Sequence, residues 1–201
     1  MRMDRRFTGF RGAVAALAVA TVLLAGCQRS DDEPPTSSPD TTQTPSPSWE
    51  DGFSDDEVDA AYEAIDFLHS YDATIEGFVE SGEATPEAME YLQDSHAVWT
   101  LVWEGLQANQ AEGRTSVREP GWDATTTPTE VTVQPDGYAL VEITRCLDPT
   151  KTTDYVNGVE QERVAVPSYE QYVGLQRDAG GNWLISGISA DVEAPCDLAA
   201  E

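Results

Sequence analysis

The chain has 201 residues, and 37 Asp and Glu against 11 Lys and Arg give it a formal charge of −26. A body that acidic repels phosphate backbones and carries no basic stripe to offset the repulsion, which excludes nucleic acid as a partner. Past the N-terminal leader there is length for one domain of ordinary size.

Arg2, Arg5, Arg6 and Arg11 make the leader basic, and a run rich in Ala, Val and Leu follows from Ala13 to Leu24. That layout is an export signal over residues 1–26. Its apolar run is roughly a dozen residues, short of the about 20 that a bilayer span needs. The closing Leu24-Ala25-Gly26-Cys27 resembles the lipobox of bacterial lipoproteins. The resemblance implies cleavage before Cys27, diacylglycerol on its sulfur and acylation of the new amino group. Each buried CH₂ contributes about 0.8 kcal/mol, so two or three acyl chains hold a protein durably on a membrane. The expected location is the extracytoplasmic face of the cell membrane, lipid-anchored through Cys27. Arg5-Arg6 leaves the export route open, because Asp4 and Thr8 fit a twin-arginine motif poorly. Residues 1–26 carry four Arg and one Asp, so the mature chain is near −29.

Residues 27–53 are the lipidated cysteine and a Ser, Thr, Pro, Asp and Glu stretch in which Trp49 stands out as large and apolar. Such a segment cannot bury enough surface to fold alone and reads as a disordered tether of roughly 30 Å r.m.s. span. The domain is expected over 54–197, with a tail at 198–201. Ser54 and Glu57 have capping-box spacing, and Val58, Ala61, Ile65, Leu68, Tyr71, Ile75 and Phe78 recur at three- and four-residue steps. They predict a first helix with one core-facing stripe, ended at Gly82. Thr85-Pro86 opens a second helix, and a third is predicted from about Ala97 to Ala111, closed by Gly113.

Strands follow. One is predicted at Glu130–Gln134, another at Tyr138–Leu147 after a Pro135-Asp136-Gly137 turn, and both faces of the second read as partly covered. Asn157-Gly158 signals a hairpin between strands near Tyr155 and Gln161. Ser168–Arg177 and Asn182–Ala190 are the last two strands, joined through Asp178-Ala179-Gly180-Gly181. Cys146 and Cys196 remain once Cys27 is lipidated; outside the cytoplasm such a pair is most simply a disulfide. It would tie the end of the chain to the central strand.

Helices first, then an antiparallel meander ending in Gly180-Gly181-x-Trp183, is similar to the nuclear transport factor 2-like fold. More narrowly, Ala139-x-Val141 leading to Cys146-x-Asp148, the Asn157-Gly158 turn, Asn182-Trp183 and Pro195-Cys196 resemble envelope lipoproteins of that fold from high-GC Gram-positive bacteria. The resemblance implies an α+β domain over roughly 54–197, its N-terminal helices packed on a curved antiparallel sheet of about four strands that closes as a cone. A cystatin-like helix on an open sheet is the alternative.

Members of that class often hold a pocket between sheet and helices, and its enzymes place a general base over an apolar floor. Tyr62, Asp66 and His69 lie at i, i+4 and i+7 on one flank of the first helix, and His96 sits between the second and third. They read either as an acid/base set or as the polar edge of a buried face; none matches the catalytic motif of those enzymes. Trp99 and Trp103, at helical spacing, either line a pocket or pack the core. Glu142, Arg145 and Arg163 either pair across the sheet or face water. There is no Gly-rich phosphate loop, metal-ligand run or nucleophile elbow, so no metal or cofactor is expected. The expectation is therefore a non-catalytic binding or assembly module. Its partners would be the membrane through Cys27, an envelope protein or a small apolar ligand, and a second copy through the sheet. An isomerase or dehydratase using Asp66 and His69 is the alternative.

Overall fold

The computed structural model describes residues 48–163 and 166–196. The expected leader, Cys27, most of the tether and the tail lie outside the described residues. Within them the chain runs as three helices followed by seven strands. α1 spans Asp55–Ser81, α2 Pro86–Ser95 and α3 Trp99–Glu112. β1 is Arg114–Arg118, β2 Asp123–Val133, β3 Ala139–Leu147, β4 Thr152–Val156, β5 Val159–Glu160, β6 Tyr169–Arg177 and β7 Trp183–Asp191.

The helix boundaries follow local chemistry. Glu57 Oε2 accepts the Ser54 N–H at 2.8 Å and its hydroxyl at 2.7 Å. Those bonds hold the Glu57 carboxyl below its ordinary range, and three acidic residues in the first turn complement the helix dipole. Thr85 Oγ1 accepts the Ala88 N–H at 3.2 Å to start α2. Gly82 and Gly113 end α1 and α3 in the left-handed conformation, at φ 69° and 64°. At Gly113 a Cβ would stand 2.3 Å from Asn157 Oδ1, so the end of α3 meets the β4–β5 turn at a point that only glycine fits.

β2-β3-β6-β7 form a four-stranded antiparallel sheet, and β1-β4-β5 form a second sheet of three. The fold is α+β, as the order of helical and strand patterns predicts. The second sheet was not expected. β1 reads Arg-Thr-Ser-Val-Arg and has no apolar alternation to mark it. β2 begins at Asp123, seven residues before the predicted Glu130, because its first half is threonine-rich and interrupted by Pro128. A proline there is accommodated because β2 is an edge strand and its register with β3 shifts between Pro128 and Glu130.

α1 lies on the four-stranded sheet through small residues. Ala60, Ala61, Ala64 and Leu68 are buried, and across from them lie Val141, Ile143, Val173, Leu175 and Ile185. Alanine lets the helix axis approach the strands closely, and α2 adds Ala88 and Leu92 to the same cluster. The chain enters this body before Ser54. Trp49–Gly52 is a capped 3₁₀ turn, and Trp49 and Phe53 pack against the core, so the folded part takes over residues assigned to the tether. Trp99 and Trp103 pack against that core as well. At the α2–α3 junction, the Ala97 N–H donates to the Ile185 carbonyl at 2.8 Å, pinning the junction to the edge of β7.

β3 alternates buried and exposed as far as Thr144, and then Arg145, Cys146 and Leu147 are all buried. The break has two causes, one per face. Arg145 turns toward α1, while Cys146 lies on the opposite face under the C-terminal segment. There Cys146 and Cys196 are bonded, with Cα atoms 5.8 Å apart, and the Ser168 hydroxyl donates to the Cys196 carbonyl at 2.7 Å. The bond ties the chain's end to an interior strand of the sheet. No helix among the described residues is long and apolar enough to cross a membrane.

Candidate functional site

A buried cation fixes the end of β3. Arg145 is 3 % exposed and Asp72 of α1 is 8 % exposed. The guanidinium forms a two-pronged pair with the Asp72 carboxylate, while Nε donates to Gln171 Oε1 on β6 at 2.7 Å. Gln171 is the β6 residue directly opposite Arg145 in the sheet. Burying a charge is tolerated only with such complete pairing. Of the three charged strand residues expected to pair across the sheet or face water, Arg145 does neither alone. Its main partner is a helix carboxylate. Tyr71, beside Asp72, has its phenol pushed well above the ordinary range, chiefly by burial.

Trp122, between β1 and β2, lies within cation–π distance of two guanidinium groups, Arg118 at 4.1 Å and Arg145 at 5.0 Å from its ring centre. Trp122 borders a shallow notch with His69, Asp72, Glu76 and Asp123. Glu76 Oε1 is buried there without a hydrogen-bond partner, and burial raises the Glu76 carboxyl, partly offset by the positive charge of Arg118. Among the described residues, no three His, Cys, Asp or Glu side chains come together to hold a metal ion.

Trp122 also borders a cleft of about 660 Å³. One wall is the second sheet. Alternate residues of a strand share a face, so Arg114, Ser116 and Arg118 of β1 line the cleft with Thr152, Asp154 and Val156 of β4 opposite them. Val79 of α1, Leu147 of β3 and Tyr169 of β6 supply apolar surface, and Arg163 closes the rim. The volume falls within the range of small-ligand sites, and the residues that line it are mostly polar, with apolar surface confined to a minority of them. Six Lys and Arg fall among the described residues, and three of them, Arg114, Arg118 and Arg163, line this cleft. Sequence reasoning missed it. The signal was the Arg-x-Ser-x-Arg alternation of β1, a polar face at strand period.

Of the residues proposed as an acid/base set, Tyr62 and His69 have partners of their own and Asp66 faces solvent. Tyr62 is about half exposed, stacks edge-on against Trp49 at 5.4 Å and donates its hydroxyl to Glu50. His69 faces Asp123 across 3.8 Å. Asp66 is exposed at an open depression that also includes Glu63, Arg177 and Trp183. None of the three lines the large cleft. His96 is buried, and its Nδ1 accepts the Val98 N–H at 3.2 Å, which makes it a structural bracket for the start of α3. Glu142 is exposed on the outer face of the sheet, and the Arg163 guanidinium donates to the Thr150 carbonyl and the Thr153 hydroxyl.

No protein-family model and no curated protein matches the chain. Among solved structures, the intermembrane space region of the chloroplast protein ARC6 is similar over 65% of this chain and 95% of that one, at 16% identity and a TM-score of 0.42. A likeness that distant carries no argument about fold or function.

Proposed function

We propose that the protein is a cell-envelope lipoprotein, fixed to the outer face of the cell membrane through Cys27, whose α+β domain binds a ligand and does not transform it. The large cleft beside Trp122 is the observation that carries the binding reading. It is preformed, Trp122 and Tyr169 give it aromatic surface, and one wall is the sheet of β1, β4 and β5. Its lining contains no histidine, and Asp148 and Asp154 accept hydrogen bonds from Thr150 and Ser116. The bond between Cys146 and Cys196 supports an oxidising compartment. The domain's helices-then-meander order, with α1 lying on the face of β2-β3-β6-β7, supports the nuclear transport factor 2-like reading of the fold.

Two experiments test this reading. Cys27→Ser should move the protein from the membrane fraction to the soluble fraction; retention in the membrane would refute the anchor. Photo-crosslinkers placed at Tyr169 and Val156, on the cleft walls, should trap a specific ligand or partner in intact cells, while one at Asp66 should not. Equal capture at both places would refute the cleft as the binding site.

A further inference from the structure

We infer that the cleft takes a small organic acid, with its carboxylate held by Arg118 and Arg163 and its apolar body lying on Trp122. This rests on reading the cleft as a ligand site and adds the chemical class.

The first ground is the distribution of charge. The described residues carry many more carboxylates than cations, yet three of their six cations border one cavity. A random scatter over so acidic a surface would pair cations with the abundant carboxylates. Arg177 and Arg114 follow that pattern, in ion pairs with Glu63 and Glu112. Arg118 and Arg163 do not: among the described residues neither forms an ion pair. Arg118 also makes no side-chain hydrogen bond there, and with its guanidinium 4.1 Å from the Trp122 ring centre its N–H donors are unused among the described residues. Arg163 spends two donors, on Thr150 and Thr153, and has others to give.

The second ground is the state of the acids that face them. Asp148 accepts both the N–H and the hydroxyl of Thr150, at 2.9 and 2.6 Å, and so caps the turn after β3. Asp154 accepts the Ser116 hydroxyl. Glu76 borders the notch beside Trp122, close enough for the positive charge of Arg118 to act on its carboxyl but without an ion pair to it, and Glu162 is exposed in the cleft lining. Two guanidinium forks with free donors, beside Asp148 and Asp154 that are already engaged, are suited to a carboxylate, which they can hold through paired N–H groups. Val79, Leu147 and Tyr169 extend the apolar surface begun by Trp122, and that is where the ligand's apolar body lies.

The test is calorimetric titration of the purified full-length protein with 3-phenylpropionate, 3-phenylpropanol and 3-phenylpropylamine. These three share one body and differ in head group. The acid should bind at least about tenfold tighter than the alcohol, and the amine should bind weakest. Arg118→Gln and Arg163→Gln should each remove most of that preference, whereas Arg177→Gln, outside the cleft, should leave it intact. Trp122→Ala should weaken acid and alcohol alike. Thermal midpoints of all variants report whether the fold survives. Equal binding of acid and alcohol, or an unchanged preference in Arg118→Gln, overturns the carboxylate inference and leaves the cleft a binding site. Absence of binding by all three at about 10 mM overturns the inference and the cleft reading together, while the anchor is tested separately through Cys27.

Discussion

Replacing Asp72 with Asn removes the carboxylate that neutralises Arg145 and changes little else in size. The guanidinium would remain 3 % exposed, with Gln171 and the face of Trp122 as its remaining partners. Breaking a buried pair by deleting one charge costs about 3–5 kcal/mol, because the other charge is left buried and uncompensated. Against a total stability of about 5–15 kcal/mol for a domain, that is a large fraction. For a domain of this size it corresponds to a fall in Tm of about 10 °C. The assay is urea unfolding followed by far-UV circular dichroism with the disulfide intact, comparing midpoints at unchanged slope. The double replacement Asp72→Leu with Arg145→Met removes both charges and should lie within about 1 kcal/mol of the parent or above it. A coupling of several kcal/mol between the two positions is therefore expected. A loss below about 1 kcal/mol in Asp72→Asn alone is what an exposed pair would show, and it would refute the account of how β3 is held to α1.

Burial holds the His96 imidazole below its ordinary value of 6.5. The unfolded chain therefore takes the proton first, so stability is full above about pH 6.5 and falls as the pH is lowered, by at most about 1.4 kcal/mol per unit. His96→Gln should flatten that slope in urea midpoints taken between about pH 5 and 7; an unchanged slope would show that His96 is not its source. Joint replacement of Cys146 and Cys196 by Ser opens a loop with a sequence separation of 50 residues. In the chain-entropy model this costs about 4 kcal/mol, which urea unfolding would register; a loss under about 1 kcal/mol would show that the bond does not constrain the unfolded chain. Gly113→Ala should cost at least about 1–2 kcal/mol, from the positive φ and the contact with Asn157. A neutral result would mean that the α3–β4 contact is loose.

The helices were legible because their ends carry local signals, such as Ser54 with Glu57, Thr85-Pro86, Gly82 and Gly113. These act within a few residues and need no tertiary context. The apolar strands β3 and β6 were legible through Val141, Ile143, Val173 and Leu175. β1 was not, because its residues are polar on the face that lines the cleft, and the first half of β2 was not, because it is threonine-rich and Pro128 reads as a break. Arg145 illustrates the larger difficulty. Its burial depends on Asp72, 73 residues earlier, and no window along the chain contains both. Trp49 was read with its acidic and proline-rich neighbours, while its partner Tyr62 sits about two turns into α1. The cleft escaped notice for the same reason: Arg114, Arg118, Trp122 and Arg163 come together only once two sheets exist.

The central claim is that this domain works at a membrane on a lipid attached to Cys27, and the intact mass of the mature protein from its producing cells tests that claim most directly. The account predicts a chain beginning at Cys27 and carrying a diacylglyceryl group, with a further acyl chain on the amino group. It also predicts an increase of about 2 Da on reduction, from opening the Cys146–Cys196 bond. An intact leader, or an unmodified Cys27 at the N-terminus, would contradict it.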